Sequence, residues 1–164
     1  MSAILIPSVY LETTIPNYPF NYHLPEKRQY TLDFFGEISR GHYRPFTSDY
    51  VIRELIATPD SKRRKDMLAL INRHNVQILP DSDEAVRLAD MYIREGIIPP
   101  SKRVDAFHIA TATVNGLSFI LSYNFEHIAK PKTAIMAGEI NIREGYDRIG
   151  IYSPTEIITN AYGS

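Results

Sequence analysis

The chain has 164 residues, 44% of them hydrophobic, which suits one globular domain that buries roughly 70% of its unfolded surface. The absence of cysteine excludes disulfides, thiolate zinc sites and iron–sulfur clusters, and it is compatible with a reducing cytosol. A formal net charge of −1 excludes strong overall attraction to nucleic acid, and no apolar run reaches the ~20 residues of a membrane span. We therefore expect a cytoplasmic protein with no membrane partner.

Apolar runs and helical periodicity predict strands and helices that alternate along the chain. In chain order, the first half is predicted as a strand over Ile4–Leu11, a loop over Pro16–Pro25, a helix over Pro25–Arg40, a strand over Arg44–Thr47, helices over Asp49–Ala57 and Asp60–Arg73, and a strand over Val76–Leu79. The second half is predicted as a helix over Asp81–Glu95, a helix capped by Ser101 that reaches Asn115, a strand over Phe119–Ser122, a helix over Thr133–Glu144, a strand over Ile149–Tyr152, and a final helix opened by the capping box Ser153–Glu156. This alternation predicts an α/β fold with a mostly parallel sheet and helices on both faces.

Four polar side chains stand where apolar elements end or begin. Glu12 closes the first strand, and Asn124 follows the fourth. Glu54 lies within a predicted helix, and Asp105 lies near the start of another. In an α/β sheet the carboxyl ends of strands share one edge with adjacent helix starts, so we expect these side chains to converge. Clustered oxygen ligands in a chain without cysteine favour a hard cation such as Mg²⁺ or Mn²⁺.

Asp105 has a structural explanation as well as a functional one. A carboxylate in the first turns of a helix interacts favourably with the helix dipole by ~0.3–1 kcal/mol. However, Asp105 shares a helix face with Ile109 and Ala112, and the helix is apolar on most sides. An inward-facing charge is costly unless a cation or hydrogen bonds compensate it. We therefore favour a functional role.

The other three positions carry weaker arguments when each is taken alone. Glu12 reads as a polar strand end, although the hydroxyls of Thr13 and Thr14 are placed to orient it. Glu54 resembles a surface glutamate at the border of the core, and Asn124 resembles a simple cap. A functional role for these three residues therefore depends on their lying close to Asp105 in the folded protein.

Two further groups of residues are relevant to a nucleic-acid substrate. Lys102 and Arg103 lie beside Asp105 and are candidates for phosphate contacts, since phosphate near carboxylates needs positive charge. Tyrosines such as Tyr18, Tyr22 and Tyr123 offer stacking surfaces for single-stranded RNA, although most of the eleven tyrosines are expected in the core. His108 is interpreted as a satisfied core histidine rather than a metal ligand.

Four segments together resemble the PIN-domain family and, within it, the VapC-type toxins of bacterial toxin–antitoxin pairs. The segments are Val9–Ile15, the region of Glu54, Asp105–Ala112 and Leu121–Ile128. The resemblance covers essentially the whole chain and implies a single PIN-like domain over residues 1–164, with a central, mostly parallel twisted sheet. It also implies a Mg²⁺- or Mn²⁺-dependent endoribonuclease, an RNA substrate, a cognate antitoxin protein and a homodimer.

The resemblance assigns roles to the four polar positions. The family's first acidic position falls on Glu12, its helix glutamate on Glu54 and its third acid on Asp105, which makes these three the expected metal ligands. The fourth position is often Asp and is Asn124 here, so one negative charge is missing. Glu54 would hold a water of the ion or act as general base, and Asn124 would orient a water, which makes all four residues catalytic candidates.

Two alternatives remain open at this point. A catalytically impaired RNA-binding or regulatory module would keep the fold and lose activity through Asn124, although three converging acids argue against it. A metal-dependent DNA nuclease or phosphatase would use the same acids, because the ion chemistry is shared and the loops set the specificity.

Overall fold

The computed structural model describes residues 5–127 and 130–162. The strands in this part of the chain form one sheet in the order β3-β2-β1-β4-β5, and every adjacent pair is parallel. They are β1 (Ser8–Leu11), β2 (Arg44–Ser48), β3 (Gln77–Leu79), β4 (Phe119–Leu121) and β5 (Gly150–Tyr152). The predicted α/β class with a parallel sheet is confirmed.

The helices connect the strands and pack against one another. They are α1 (Thr14–Asn17), α2 (Pro25–Ser39), α3 (Asp49–Ile56), α4 (Ser61–Arg73), α5 (Asp83–Arg94), α6 (Arg103–Val114), α7 (Lys130–Arg143) and α8 (Pro154–Tyr162). Helix α2 packs against α8, whereas α5 packs against α6 and α7. Connections between parallel strands are almost always right-handed, so connections that run in opposite directions from the sheet centre place their helices on opposite faces of the sheet. Within the described residues, no helix is both long enough and apolar enough to cross a membrane.

The central strand β1 is buried along its whole length, as expected for a parallel strand covered on both faces. The connection after β1 leads to β2 on one side, and the connection after β4 leads to β5 on the other. The carboxyl ends of β1 and β4 therefore flank the point where the strand order reverses. In open α/β sheets this crevice is the usual ligand site.

The register of β1 and β4 determines which side chains meet in this crevice. Leu11 pairs with Leu121, and the backbone N–H of Glu12 donates to the Leu121 carbonyl at 3.1 Å. The first residues beyond the two strands, Glu12 and Ser122, are thereby placed side by side. On the other flank of β1, the Thr47 hydroxyl donates to the Leu11 carbonyl at 2.7 Å.

Helix α6, next to the site, is largely buried. Asp105 and seven further residues between Ala106 and Thr113 are buried, which confirms that the helix is enclosed on most sides. The prediction that Ser101 caps it is wrong. A 3-10 turn over Pro100–Lys102 precedes the helix, Lys102 occupies the N-cap position, and no side chain there forms a cap hydrogen bond.

Two predicted elements near the N-terminus need correction. The first strand begins only at Ser8, because Leu5 is 89% exposed and Pro7, which has no N–H to donate, precedes the paired residues; Ile4 lies outside the described residues. The predicted loop Pro16–Pro25 is largely helical, with α1 followed by a 3-10 helix over Tyr18–Phe20. Its prolines lie in first turns, where a helix does not use the backbone N–H.

The remaining predicted helices and strands are confirmed, with shifts of a few residues at their ends. Ser48 caps α3 by accepting from the backbone N–H of Val51 at 3.2 Å. The predicted capping box is also present, since the Ser153 N–H donates to Glu156 Oε1 at 3.0 Å and the Glu156 N–H donates to Ser153 Oγ at 3.3 Å.

Candidate active site

Glu12 is the best-held carboxylate of the site, and it is only 2% exposed. Its Oε1 accepts from the Thr14 hydroxyl at 2.5 Å, from the Thr14 N–H at 3.0 Å and from the Ser122 hydroxyl at 2.8 Å. Its Oε2 accepts from Nδ2 of Asn124 at 2.6 Å. These bonds fix both oxygens at the end of β1.

The protonation of Glu12 reflects competing effects. Burial raises the pKa of the Glu12 carboxyl, hydrogen bonds from Thr14 and Ser122 oppose this rise, and the charge of Asp105 adds to it. The hydrogen bonds are those expected around an ionised carboxylate, whereas burial near a second carboxylate disfavours the charge. A positive charge next to Glu12 would stabilise the ionised carboxylate despite its burial.

Asp105 lies in the first turn of α6 and is 9% exposed. Burial raises the pKa of its carboxyl, and the nearby Lys102 ammonium lowers it. Asp105 and Asn124 line a common cavity of about 340 Å³ together with Ser101, Lys102 and Val104. In the part of the chain that the structure describes, neither Glu12 nor Asp105 is within ion-pair distance of a lysine or arginine.

Asn124 links the two acids across the crevice. It opens a 3-10 helix over Asn124–His127, and its backbone N–H donates to the Ser122 hydroxyl at 2.9 Å. Because Nδ2 donates to Glu12, the planar amide directs Oδ1 away from that carboxylate. This oxygen can ligate a cation, or accept a hydrogen bond from a water, in the cavity shared with Asp105.

Glu54 occupies a different position from the other acids. It is exposed on α3, and its Oε1 accepts from the Thr13 hydroxyl at 2.6 Å. Consecutive threonines therefore orient the two glutamates, Thr13 holding Glu54 and Thr14 holding Glu12. The expectation that these hydroxyls orient Glu12 is confirmed for Thr14, whereas the Thr13 hydroxyl donates to Glu54 instead.

The donor set fits one hard divalent cation. Glu12, Asp105 and the Asn124 amide oxygen supply only oxygen atoms, and Mg²⁺ is commonly held by one or two carboxylates with the remaining positions filled by water. Among the residues described, no three Asp, Glu, His or Cys side chains lie close enough to share one ion. The structure thus brings Glu12, Asp105 and Asn124 together. Glu54 is exposed, and it is connected to the site by its hydrogen bond to Thr13, the residue after Glu12.

The two basic residues beside Asp105 point to different neighbours. Lys102 is exposed and lines the same cavity as Asp105. Arg103 is paired with Asp90 and lines an adjacent cavity instead. Lys102 is therefore the better placed of the two for a phosphate at the acids.

One of the tyrosines considered for RNA stacking is unavailable. Tyr123 is buried, stacks on Tyr18 with ring centroids 4.2 Å apart, and shares a hydrogen bond of 2.9 Å with the Thr31 hydroxyl. It is a core residue, so that expectation was wrong for Tyr123. Tyr22 is exposed, with the guanidinium of Arg28 4.6 Å from its ring centroid.

Three contacts in and near the site were not predicted from the sequence. Ser122 holds Glu12, and the signal was present, because Ser122 follows β4 as Glu12 follows β1. Below the acids, the Tyr10 hydroxyl lies 2.8 Å from Oγ of Ser48 and 2.6 Å from Nδ1 of His108. Burial lowers the pKa of His108 to about 4, so the ring is neutral at neutral pH, in agreement with a satisfied core histidine.

Comparisons with known proteins identify the family and the fold. A comparison with curated proteins gave no match. Among solved structures, the fold is similar to a chain in the crystal structure of VapBC2 from Rickettsia felis bound to a DNA fragment from their promoter. The TM-score is 0.54 and the identity 13%, and the alignment covers 89% of this chain and 98% of that one. The PIN domain family matches residues 9–132, which include all four predicted site positions. This protein belongs to the PIN domain family.

Proposed function

We propose that this protein is a metal-dependent ribonuclease that hydrolyses RNA phosphodiesters, and that it is a VapC-type toxin of a toxin–antitoxin pair. PIN-domain proteins are nucleases. The finer assignment is carried by one observation: Glu12 and Asp105 are buried near each other at the reversal point of the sheet, with no ion-pair partner among the described residues. A purely structural role would leave two like charges close together, with only the hydrogen bonds to Glu12 and the Lys102 ammonium to offset their repulsion.

Glu12, Asp105 and Oδ1 of Asn124 would hold the ion, which is Mg²⁺ or Mn²⁺. When bound, the cation would activate an attacking water, neutralise the non-bridging phosphate oxygens and stabilise the leaving oxygen. The protein contributes by keeping these donors in fixed directions. Thr14 and Ser122 lock the Glu12 carboxylate, and Glu12 in turn locks the Asn124 amide.

We assign Glu54 the role of a general base rather than that of a third buried ligand. It is exposed, and Thr13 binds its Oε1, so that Oε2 is left to accept a proton from an attacking water. Direct ligation by Glu54 remains a prediction. In our proposal Asn124 orients the same water.

The phosphate would be held by the positive charge next to the acids. Lys102 lines the cavity that contains Asp105 and Asn124, and its ammonium already lowers the pKa of Asp105. We assign it a contact with the scissile phosphate. Arg103 is engaged with Asp90, and we assign it a contact with a neighbouring phosphate.

The partners follow from the VapC-type assignment. The similar solved structure is of VapBC2, which supports a cognate antitoxin protein as a partner. A homodimer and a cytoplasmic location belong to the same proposal and stay predictions.

A catalytically impaired RNA-binding module is the second candidate, and Asn124 favours it. The amide replaces the fourth carboxylate, and its Nδ2 occupies one oxygen of Glu12. Such a module would bind RNA and metal without turnover. Cleavage of DNA or of phosphomonoesters would instead identify a DNA nuclease or a phosphatase at the same acids.

The test is cleavage of structured RNA, single-stranded RNA, DNA and a phosphomonoester in Mg²⁺, Mn²⁺ or EDTA. Asp105→Asn and Glu12→Gln remove one site charge each, and Glu139→Gln is the matched control because its side chain is 67% exposed on α7. We expect metal-dependent RNA cleavage that both site variants lose and the control retains. Metal and RNA binding without turnover in the wild type would favour the impaired module. Cleavage that survives both site variants would overturn the assignment of the site.

A further inference from the structure

A second cavity, of about 300 Å³, lies next to the acidic one, and the two share Val104 as a wall. Its lining includes the rings of Tyr50 and Phe107 and the aliphatic side chains of Val86 and Ala89. Val86 is 46% exposed and Val104 42% exposed, so apolar surface faces solvent beside a polar reaction site. A mainly apolar cavity of this size with a few polar groups has the properties of a ligand site.

Two residues that line this cavity are close in sequence to two of the acids. Tyr50 lies on α3 one turn before Glu54, and Val104 immediately precedes Asp105. The ring centroids of Tyr50 and Phe107 are 5.8 Å apart, so that α3 and α6 form two walls of one space. A group bound here would be attached to, or next to, the phosphate at Lys102.

The polar groups lie at the rim of the cavity. Nη2 of Arg53 donates to Oδ2 of Asp81 at 2.9 Å, and both side chains are about half exposed, at 57% and 48%. Arg103 also lines the cavity, and its guanidinium is paired with Asp90. The formal charges of the four side chains cancel, so the rim suits a neutral group that carries both donors and acceptors.

We propose that this cavity binds an unstacked base of the RNA substrate, next to the scissile phosphate, and that guanine is the preferred base. This inference rests on the proposed ribonuclease function. A base has two apolar faces for the aromatic walls and a polar edge for the rim. Guanine presents O6 and N7 as acceptors for the Arg53 guanidinium and N–H donors for the Asp81 carboxylate.

An apolar side chain of a partner protein would fill the same walls but would not use the hydrogen-bonding groups of Arg53 and Asp81. The base accounts for the walls, the rim and the position beside the acids together. The partner side chain is therefore treated as an outcome of the test.

The test compares RNA hexamers, cleaved in Mn²⁺, in which each base in turn is replaced by an abasic residue. For the wild type, we expect one position next to the cleaved bond where the loss of the base raises KM by about 5- to 150-fold, the range that corresponds to the stacking energy of one base. Val86→Trp fills the cavity from the surface of α5, and it should raise KM for intact RNA and abolish the abasic effect at that position. Ile142→Trp, on the exposed face of α7, is the matched control and should retain the effect.

Two additional measurements keep the inference separate from catalysis and from folding. In EDTA, guanosine 5′-monophosphate should shift the methyl NMR signals of Val86 and Val104, whereas ribose 5-phosphate should not. Asp81→Asn, in an exposed loop, should reduce the preference for guanine over the other bases.

The opposing outcomes are distinct. If the wild type cleaves RNA while Val86→Trp keeps the wild-type KM and the same abasic profile, the base site is overturned and the ribonuclease assignment stands. If Val86→Trp cleaves normally but escapes inhibition by the antitoxin, the cavity receives a protein side chain instead. If the wild type neither cleaves nor binds RNA, the proposed function fails and the base site fails with it.

Discussion

The Tyr10 hydroxyl lies 2.6 Å from Nδ1 of His108, and it also lies 2.8 Å from the hydroxyl of Ser48, with all three side chains buried. These residues belong to β1, to the N-cap of α3 and to α6, which are the segments that carry the three acids. The Tyr10 hydroxyl thus connects the three segments that carry the acids. We therefore expect loss of the Tyr10 hydroxyl to change the distances between the carboxylates.

Tyr10→Phe removes both hydrogen bonds and leaves the ring in place. We expect the free energy of unfolding to fall by about 1–3 kcal/mol, because buried partners lose their hydrogen bonds. We also expect Mn²⁺ binding to weaken about tenfold, since residues that orient metal ligands contribute to affinity. Denaturant unfolding and calorimetric titration with Mn²⁺ measure the two effects.

The matched control is Tyr92→Phe. The Tyr92 hydroxyl is also buried and donates to Asn141, away from the acids. It should lower stability in the same way and leave Mn²⁺ affinity unchanged. Equal Mn²⁺ affinity for Tyr10→Phe and the wild type would show that the Tyr10 contact serves only the core.

Local patterns in the sequence predicted most elements of the fold, because strand runs, helix periodicity and caps such as Ser48 act between near neighbours. Glu12, Asp105 and Asn124 were recognised as polar residues near element ends, and their catalytic roles stay predictions. The error at the start of the first strand arose because the extent of a strand depends on which residues pair with a neighbouring strand. Leu5 and Ile6 are as apolar as a strand, but the paired residues begin after Pro7.

The contacts within the site required the sheet register, which the sequence alone does not provide. Ser122 reaches Glu12 because β1 and β4 are adjacent and in register, although 110 positions separate the two residues. The same applies to Tyr10 and His108, which are 98 positions apart. Each of these residues was classified locally as a strand end or a core side chain.

Asn124→Asp should convert a stabilising contact into a repulsive one in the absence of metal. Nδ2 of Asn124 lies 2.6 Å from Oε2 of Glu12, so the variant places a second carboxylate oxygen there. We expect stability at pH 7 in EDTA to fall by on the order of 1 kcal/mol and Mn²⁺ affinity to rise about tenfold or more. Thermal unfolding with and without Mn²⁺ measures both changes.

Asn124→Ala separates charge from the loss of the amide. It removes the hydrogen bond to Glu12 and adds no negative charge, so it should destabilise the protein without a gain in Mn²⁺ affinity. A similar gain in both variants would contradict a role for carboxylate charge at this position.

The contribution of Glu12 and Asp105 to the stability of the metal-free protein should fall as the pH rises above about 4. Burial raises the pKa of both Glu12 and Asp105, so the folded protein retains their protons to a higher pH than the unfolded chain does. Above the ordinary carboxyl pKa of about 4, these two carboxyls therefore bind more protons in the folded state than in the unfolded state, and their contribution to stability declines until their folded pKa is passed. The lowered pKa of the buried His108 acts in the opposite direction, so the contribution of Glu12 is isolated by comparing variants. Mn²⁺ affinity should rise over the same interval, because the ligands must be ionised.

Unfolding free energies in EDTA, measured at several pH values, test this prediction. Glu12→Gln should remove the Glu12 contribution and so make the unfolding free energy fall less, or rise more, with pH than it does in the wild type. Glu139→Gln, which removes an exposed carboxyl on α7, should keep the wild-type pH dependence. A decline of the same steepness in both variants would locate the responsible groups elsewhere.

Thr13→Val and Thr14→Val should have different consequences although the residues are adjacent. The Thr14 hydroxyl donates to Oε1 of Glu12 at 2.5 Å and accepts from the Tyr123 N–H at 3.0 Å, so its loss should lower both stability and Mn²⁺ affinity. The Thr13 hydroxyl holds only the exposed Glu54, at 2.6 Å. Thr13→Val should therefore change stability by less than about 0.5 kcal/mol and keep Mn²⁺ affinity, yet reduce kcat for RNA cleavage. Loss of Mn²⁺ affinity in Thr13→Val would instead make Glu54 a direct ligand of the ion, and an unchanged kcat would remove it from the reaction.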